Sequence, residues 1–151
     1  MVVVVLTFAC ASSSTGATIT GGHLGSVGTA GCQPAAAFHS ASANGGLPEA
    51  GMDTTRGSVW ALAFSPMPPP AGQEIKVVWR MTGAGPFAFH VSDVAGQSIP
   101  LVWGPEDHGS STWKHPGDEI GTGLKFPHSG CWQIHVTRPN VDADLWLGVT
   151  A

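Results

Sequence analysis

The chain has 151 residues, of which 42% are hydrophobic and only 11% charged, with 21 Gly, 12 Pro and a formal net charge of −4. Six Lys and Arg in all exclude a nucleic-acid binder that works by neutralising phosphates. The Gly and Pro content excludes a helical bundle, since these residues cost about 1 and about 3 kcal/mol respectively inside a helix, and six Trp in so apolar a chain exclude intrinsic disorder.

The first element is an apolar run, Val2 to Val5, Leu6 and Phe8, that ends at Ala9-Cys10 and passes into Ser12, Ser13 and Ser14. Such a run followed by small residues reads as an export signal, and it is shorter than the roughly 20 residues a bilayer-spanning helix needs. It resembles the end of a bacterial lipoprotein signal, which implies lipidation of Cys10 and a membrane anchor. Ala9-Cys10-Ala11 also fits the small-x-small pattern of ordinary signal cleavage, which would release a secreted protein. Residues 11–31 are Ala, Ser, Thr and Gly with a few aliphatics and one His, too little apolar surface to offset the entropy of ordering, and are expected to form a flexible tether. A folded domain is expected over residues 32–151.

Within that domain the strands announce themselves by period-two alternation. Val59 to Phe64 is an irregular strand. Ile75, Val77, Trp79 and Met81 share one face, with Lys76, Arg80 and Thr82 on the other. Phe87, Phe89 and Val91 alternate with Ala88, His90 and Ser92. Ile99 to Trp103 and Leu124 to Phe126 are shorter candidates. Trp132, Ile134 and Val136 alternate with Gln133, His135 and Thr137, and Leu145, Leu147 and Val149 with Trp146, Gly148 and Thr150. Turn residues separate them at Pro66 to Pro70, Gly83 to Pro86, Ala95-Gly96, His128 to Gly130 and Pro139-Asn140. About seven short strands with no helical period point to an immunoglobulin-like antiparallel β-sandwich; a small closed barrel is the alternative.

Three cysteines are present, Cys10, Cys32 and Cys131. With Cys10 lipidated or removed, an oxidising compartment favours a Cys32–Cys131 disulfide. The bond would close a loop of about 100 residues, for which the chain-entropy model gives about 4.7 kcal/mol. Two buried thiols are the other reading.

Three stretches carry a resemblance: Val78-Trp79-Arg80-Met81-Thr82-Gly83, Trp113-Lys114-His115-Pro116-Gly117-Asp118-Glu119-Ile120-Gly121-Thr122-Gly123, and Phe126-Pro127-His128-Ser129-Gly130-Cys131-Trp132. In this order they resemble a group of uncharacterised bacterial exported proteins and lipoproteins with Trp-Arg-Met-Thr-Gly, Pro-Gly-Asp-Glu-x-Gly-Thr-Gly and Phe-Pro-x-x-Gly-Cys-Trp motifs. The resemblance implies an extracytoplasmic β-sandwich, often lipid-anchored. It implies no catalytic residue.

The most polar stretch, Gly104 to Gly123, reads as a long loop that holds Glu106, Asp107, Asp118, Glu119, His108, His115 and Trp113. One reading makes it a ligand site, with Trp113 as a stacking platform and His115, Asp118 and Glu119 as hydrogen-bond partners for a sugar or peptide. The other is structural, with Asp118 and Glu119 holding turns and Gly121 and Gly123 supplying positive φ. His90, His108, His115, His128 and His135 invite a zinc or copper reading, but none shows His-x-His or His-x-x-x-His spacing, so no cofactor and no metal ligand is assigned. Without a Gly-x-Ser-x-Gly elbow no catalytic residue is assigned either. The expected role is therefore non-catalytic: an exported or lipid-anchored envelope domain that binds a protein or supports other components. A carbohydrate or small-ligand module and a Cu/Zn-binding protein are the alternatives.

Overall fold

The computed structural model describes Cys32, residues 38–109 and residues 111–151. The leader with Cys10 and the 11–31 tether lie outside the described residues. Among the described residues ten strands follow one another: β1 His39–Ser40, β2 Pro48–Thr54, β3 Gly57–Ala63, β4 Glu74–Met81, β5 Ala88–Asp93, β6 Ser98–Ile99, β7 Trp103–Asp107, β8 Asp118–Lys125, β9 Gly130–Arg138 and β10 Val141–Val149. They form two antiparallel sheets, one of order β1-β2-β3-β4-β8-β7 and one of order β10-β9-β5-β6. The expected sandwich is the architecture observed. Among the described residues no helix is long and apolar enough to cross a membrane.

The alternating strands put their apolar faces together, as the period of two requires. From the larger sheet come Val59 and Ala61, Ile75, Val77, Trp79 and Met81, and Ile120 and Leu124; from the smaller come Val91, Trp132, Ile134, Val136, Leu145, Leu147 and Val149. A buried indole must satisfy its N–H: Trp79 Nε1 donates to Thr122 Oγ1 at 2.8 Å, and that hydroxyl donates on to the Val77 carbonyl at 3.3 Å. Cys131 sits on the opposite face of β9 from Trp132 and is bonded to Cys32, with the Cα atoms 5.2 Å apart.

The strand count exceeds seven for identifiable reasons. β2, Pro48 to Thr54, carries Pro, Gly and two acids in place of a clean alternation. The single strand expected over Ile99 to Trp103 is divided: β6 belongs to the smaller sheet, Pro100 interrupts, and β7 begins the edge of the larger one. Gly104 to Gly123 is not one long loop. It supplies most of β7 and the first six residues of β8, leaving a shorter connection over 108–117. That connection turns back over the outer face of the larger sheet, so β8 is buried on both sides from Glu119 to Leu124. Its outward positions Gly121 and Gly123 lie under the Trp103 indole, which a Cβ at Gly123 would strike at 2.1 Å.

Candidate functional site

The outer face of the larger sheet holds a second, smaller apolar cluster in which Leu62 and Val78 meet Trp113 of the connection, with Leu47 and Trp60 packed alongside. Trp113 is the pin: it is only 5% exposed and sits where the connection lands on the sheet. Two carboxylates are buried beside this cluster, Glu49 from β2 and Glu119 from β8. A buried charge is tolerated only when it is paired and hydrogen-bonded, and both are.

Glu49 receives the Trp113 indole N–H at 2.8 Å and stands 3.2 Å from His115 Nε2, both on the same oxygen, which the Asn44 amide also reaches. His39 Nε2 lies 3.3 Å from the other oxygen. The His115 ring is held from two further sides: it stacks on Trp60 with centroids 3.6 Å apart, and Trp113 meets it edge-on at 5.0 Å. Burial pushes the Glu49 carboxyl up, but the hydrogen bonds from Trp113, His115 and Asn44 together outweigh it and leave the group below the ordinary carboxylate value.

Glu119 faces Arg80, its register partner on β4. Arg80 Nε and Nη2 both donate to Glu119 Oε2, at 2.9 and 2.8 Å, and Ser111 Oγ donates to the same atom at 2.6 Å. His108 Nδ1 takes the other oxygen at 2.6 Å, and its Nε2 is 2.8 Å from Lys76 Nζ. Burial again raises the carboxyl and the bonds from Ser111, His108 and Arg80 override it, so Glu119 also lies below its ordinary value. Arg80 Nη1 meanwhile donates to the carbonyls of His115 and Gly117. One guanidinium thus ties the sheet's buried carboxylate to the connection above it.

Of the four residues singled out in the sequence, Trp113 and His115 come together around Glu49, and Glu119 lies at the neighbouring centre. Asp118 goes elsewhere and accepts from Arg138 Nη2 at 2.9 Å. The Trp113 ring packs in the small outer core and also lines a cavity beside it. Glu49, Arg80, His108 and Ser111 complete the arrangement. His108 was visible as a histidine of the polar stretch and Arg80 as an outward charge on β4, whereas nothing in the sequence marked Glu49 or Ser111.

The polar groups of the two centres are hydrogen-bonded to one another. Ser111, His108 and Glu119 are together, but the carboxylate is in the middle: the hydroxyl proton points at Glu119, and the far nitrogen of His108 faces Lys76. In a nucleophile relay the imidazole stands between hydroxyl and carboxylate. Among the described residues no buried side-chain nitrogen or oxygen lacks a hydrogen-bond partner, and no group of three or more His, Cys, Asp or Glu is gathered to hold a metal. His39, His108, His115, His128 and His135 each stand within ion-pair reach of a carboxylate, and His90 beside Ser98. In a chain with so few Lys and Arg, imidazoles have become the partners of the acids. Cys131 is bonded to Cys32, so its sulfur is no thiolate ligand for a metal beside His128 or His135.

Beside the second centre lies a cavity of about 300 Å³ with Leu62, Val78 and Phe64 on one side and His108, Thr112 and Trp113 on the other. Comparison with protein-family models, with curated proteins and with solved structures returned no match.

Proposed function

We propose that this chain is a non-catalytic domain of the bacterial cell envelope, exported and either anchored through a lipid on Cys10 or secreted, that uses its covered sheet face to engage a protein partner or support other envelope components. The observation that carries this reading is the complete partnering of the polar groups beneath the 108–117 connection. Groups held by that many donors make a rigid, fixed surface, which suits a binding or supporting role. The apolar run before Cys10 supports export. The Cys32–Cys131 bond is of the kind that persists in oxidising compartments.

Two experiments test it. Fractionation of cells expressing the full chain should place it in the envelope or medium, and Cys10→Ser should release any membrane-bound fraction. A photocrosslinking residue at exposed Lys114 should then capture an envelope component in cells. Cytosolic residence of the full chain, or turnover of any substrate in an activity panel by the pure protein, would sink the reading.

The cavity beside Trp113 favours a second reading, a small-ligand or carbohydrate module, because its volume of about 300 Å³ and its apolar wall with a few polar groups suit a small molecule. Titration of saccharides and small amphiphiles against Trp emission decides it; emission unchanged across the panel removes it.

A further inference from the structure

The outer face of the smaller sheet carries an arrangement that the interaction reading does not use. Asp144 on β10 is the register partner of His135 on β9, and His135 is in turn the register partner of His90 on β5. Three residues of metal-binding chemistry therefore stand in one row across three adjacent strands. All three are solvent-accessible, and no Lys or Arg occupies either neighbouring row, which hold Asp142, Thr137 and Ala88 on one side and Trp146, Gln133 and Ser92 on the other.

Directly opposed residues in antiparallel strands have Cβ atoms about 4.5–5.5 Å apart. Two imidazoles at that spacing can close on one ion, whose bonds to nitrogen are about 2.0–2.1 Å. The hydrogen bonds already select the nitrogens. His135 Nδ1 lies 2.7 Å from Asp144 Oδ1, and the tautomer that donates to the carboxylate leaves the Nε2 lone pair available to a metal. A carboxylate behind a histidine is the arrangement that orients metal-ligating imidazoles and raises their basicity. His90 Nε2 lies 3.2 Å from Ser98 Oγ, and donation to that hydroxyl leaves Nδ1 as the second ligand.

We infer that His90 and His135 form a surface site for a borderline divalent transition ion, with Asp144 and Ser98 behind them and solvent filling the remaining positions. Copper(II) binds tightest, because imidazole ligands follow the order that peaks at copper, and zinc(II) binds more weakly. Only two protein ligands take part, in keeping with the absence of a three-residue cluster among the described residues. The site is open, and a metal there can be exchanged with a partner or substrate.

The test uses the full chain with Cys10 alkylated, so that its thiol cannot take the metal, titrated with Cu²⁺ by calorimetry and by electron paramagnetic resonance. A single bound ion whose spectrum shows splitting from two nitrogens is expected. His90→Ala and His135→Ala should each weaken binding by about 10-fold or more, and Asp144→Asn by about 10-fold, while His128→Ala leaves it unchanged. Far-UV circular dichroism confirms that these exposed replacements keep the fold. No uptake at micromolar copper, uptake that survives the His90→Ala/His135→Ala double replacement, or an equal loss in His128→Ala would overturn the inference.

Discussion

Trp60 and His115 stack face to face, their ring centroids 3.6 Å apart and their planes 11° from parallel, and this contact fastens the 108–117 connection to the larger sheet. The imidazole is fixed again by Glu49 on one edge and by Trp113 across another. The neighbouring backbone is tied down by Arg80, whose donors are divided between the Glu119 carboxylate and the His115 and Gly117 carbonyls.

Removing the stacked ring should free the connection. His115→Ala deletes an aromatic pair worth about 0.5–1.5 kcal/mol beyond its area and one acceptor-satisfying contact of about 1 kcal/mol, so unfolding in urea should show a loss of roughly 1.5–2.5 kcal/mol. His115→Phe keeps the stack and should recover about half. Amide exchange should quicken over residues 109–117 and stay slow in β4 and β9; equal acceleration in all three would show that the ring is not a local fastening.

Glu119 is the more costly position. Glu119→Ala leaves Arg80 half-buried without its carboxylate and strands His108 and Ser111, and breaking one side of a buried pair costs about 3–5 kcal/mol. Glu119→Gln retains an acceptor for Arg80 and should cost less. Arg80→Lys should fall near the alanine variant, because a single ammonium cannot reach the carboxylate and two carbonyls at once. Urea midpoints for the three variants check the ranking, and a lysine variant as stable as the parent would contradict it.

Acid should unfasten the same region. Glu49 and Glu119 are both held below 4.5, the ordinary value, in the folded chain. A depressed carboxyl contributes stability that is fully present above its unfolded value and is lost as pH falls through its folded one. Stability should thus be insensitive to these groups from neutrality down to about pH 5, then decline below pH 4.5 as each is protonated. Unfolding midpoints measured at pH 7, 5, 4 and 3 give the curve. A Glu49→Gln/Glu119→Gln variant should be less stable at pH 7 and flatter across that window, and an unchanged slope would remove these two carboxylates as its source.

The inner half of the fold was legible because one-sided burial writes a period of two into the chain. Ile75, Val77, Trp79 and Met81, and again Trp132, Ile134 and Val136, face a single core across a single gap. β8 hides its period because both its faces are covered: Ile120 and Leu124 meet the core, while Gly121 and Gly123 give way to an indole on the far side. A strand reading Asp-Glu-Ile-Gly-Thr-Gly looks like a loop until the ring that fills the glycine gaps is known. The candidate site was half visible for a related reason. Trp113, His115 and Glu119 lie within a few residues of one another, whereas Glu49, the partner of the first two, comes from β2, and nothing in Pro48 to Thr54 marks one acid as buried. The role of the seven histidines, more numerous than the six Lys and Arg, likewise became visible only once the fold set imidazoles beside carboxylates.

The Cys32–Cys131 bond joins residues 99 apart, and its contribution can be separated from that of its sulfur atoms. The chain-entropy account puts a cross-link of this span at about 4.7 kcal/mol, and removal of such bonds typically costs about 2–5 kcal/mol. Cys32 is also buried, so its replacement forfeits packing as well. If the cross-link dominates, Cys32→Ala, Cys131→Ala and the double variant should lose the same amount in urea unfolding, since the first replacement already breaks the bond and the second finds nothing left to remove. If packing dominates, Cys32→Ala should lose more than Cys131→Ala, and full reduction of the parent with dithiothreitol should leave its midpoint nearly in place. Equal losses in all three variants, reproduced by reductant, are the result expected.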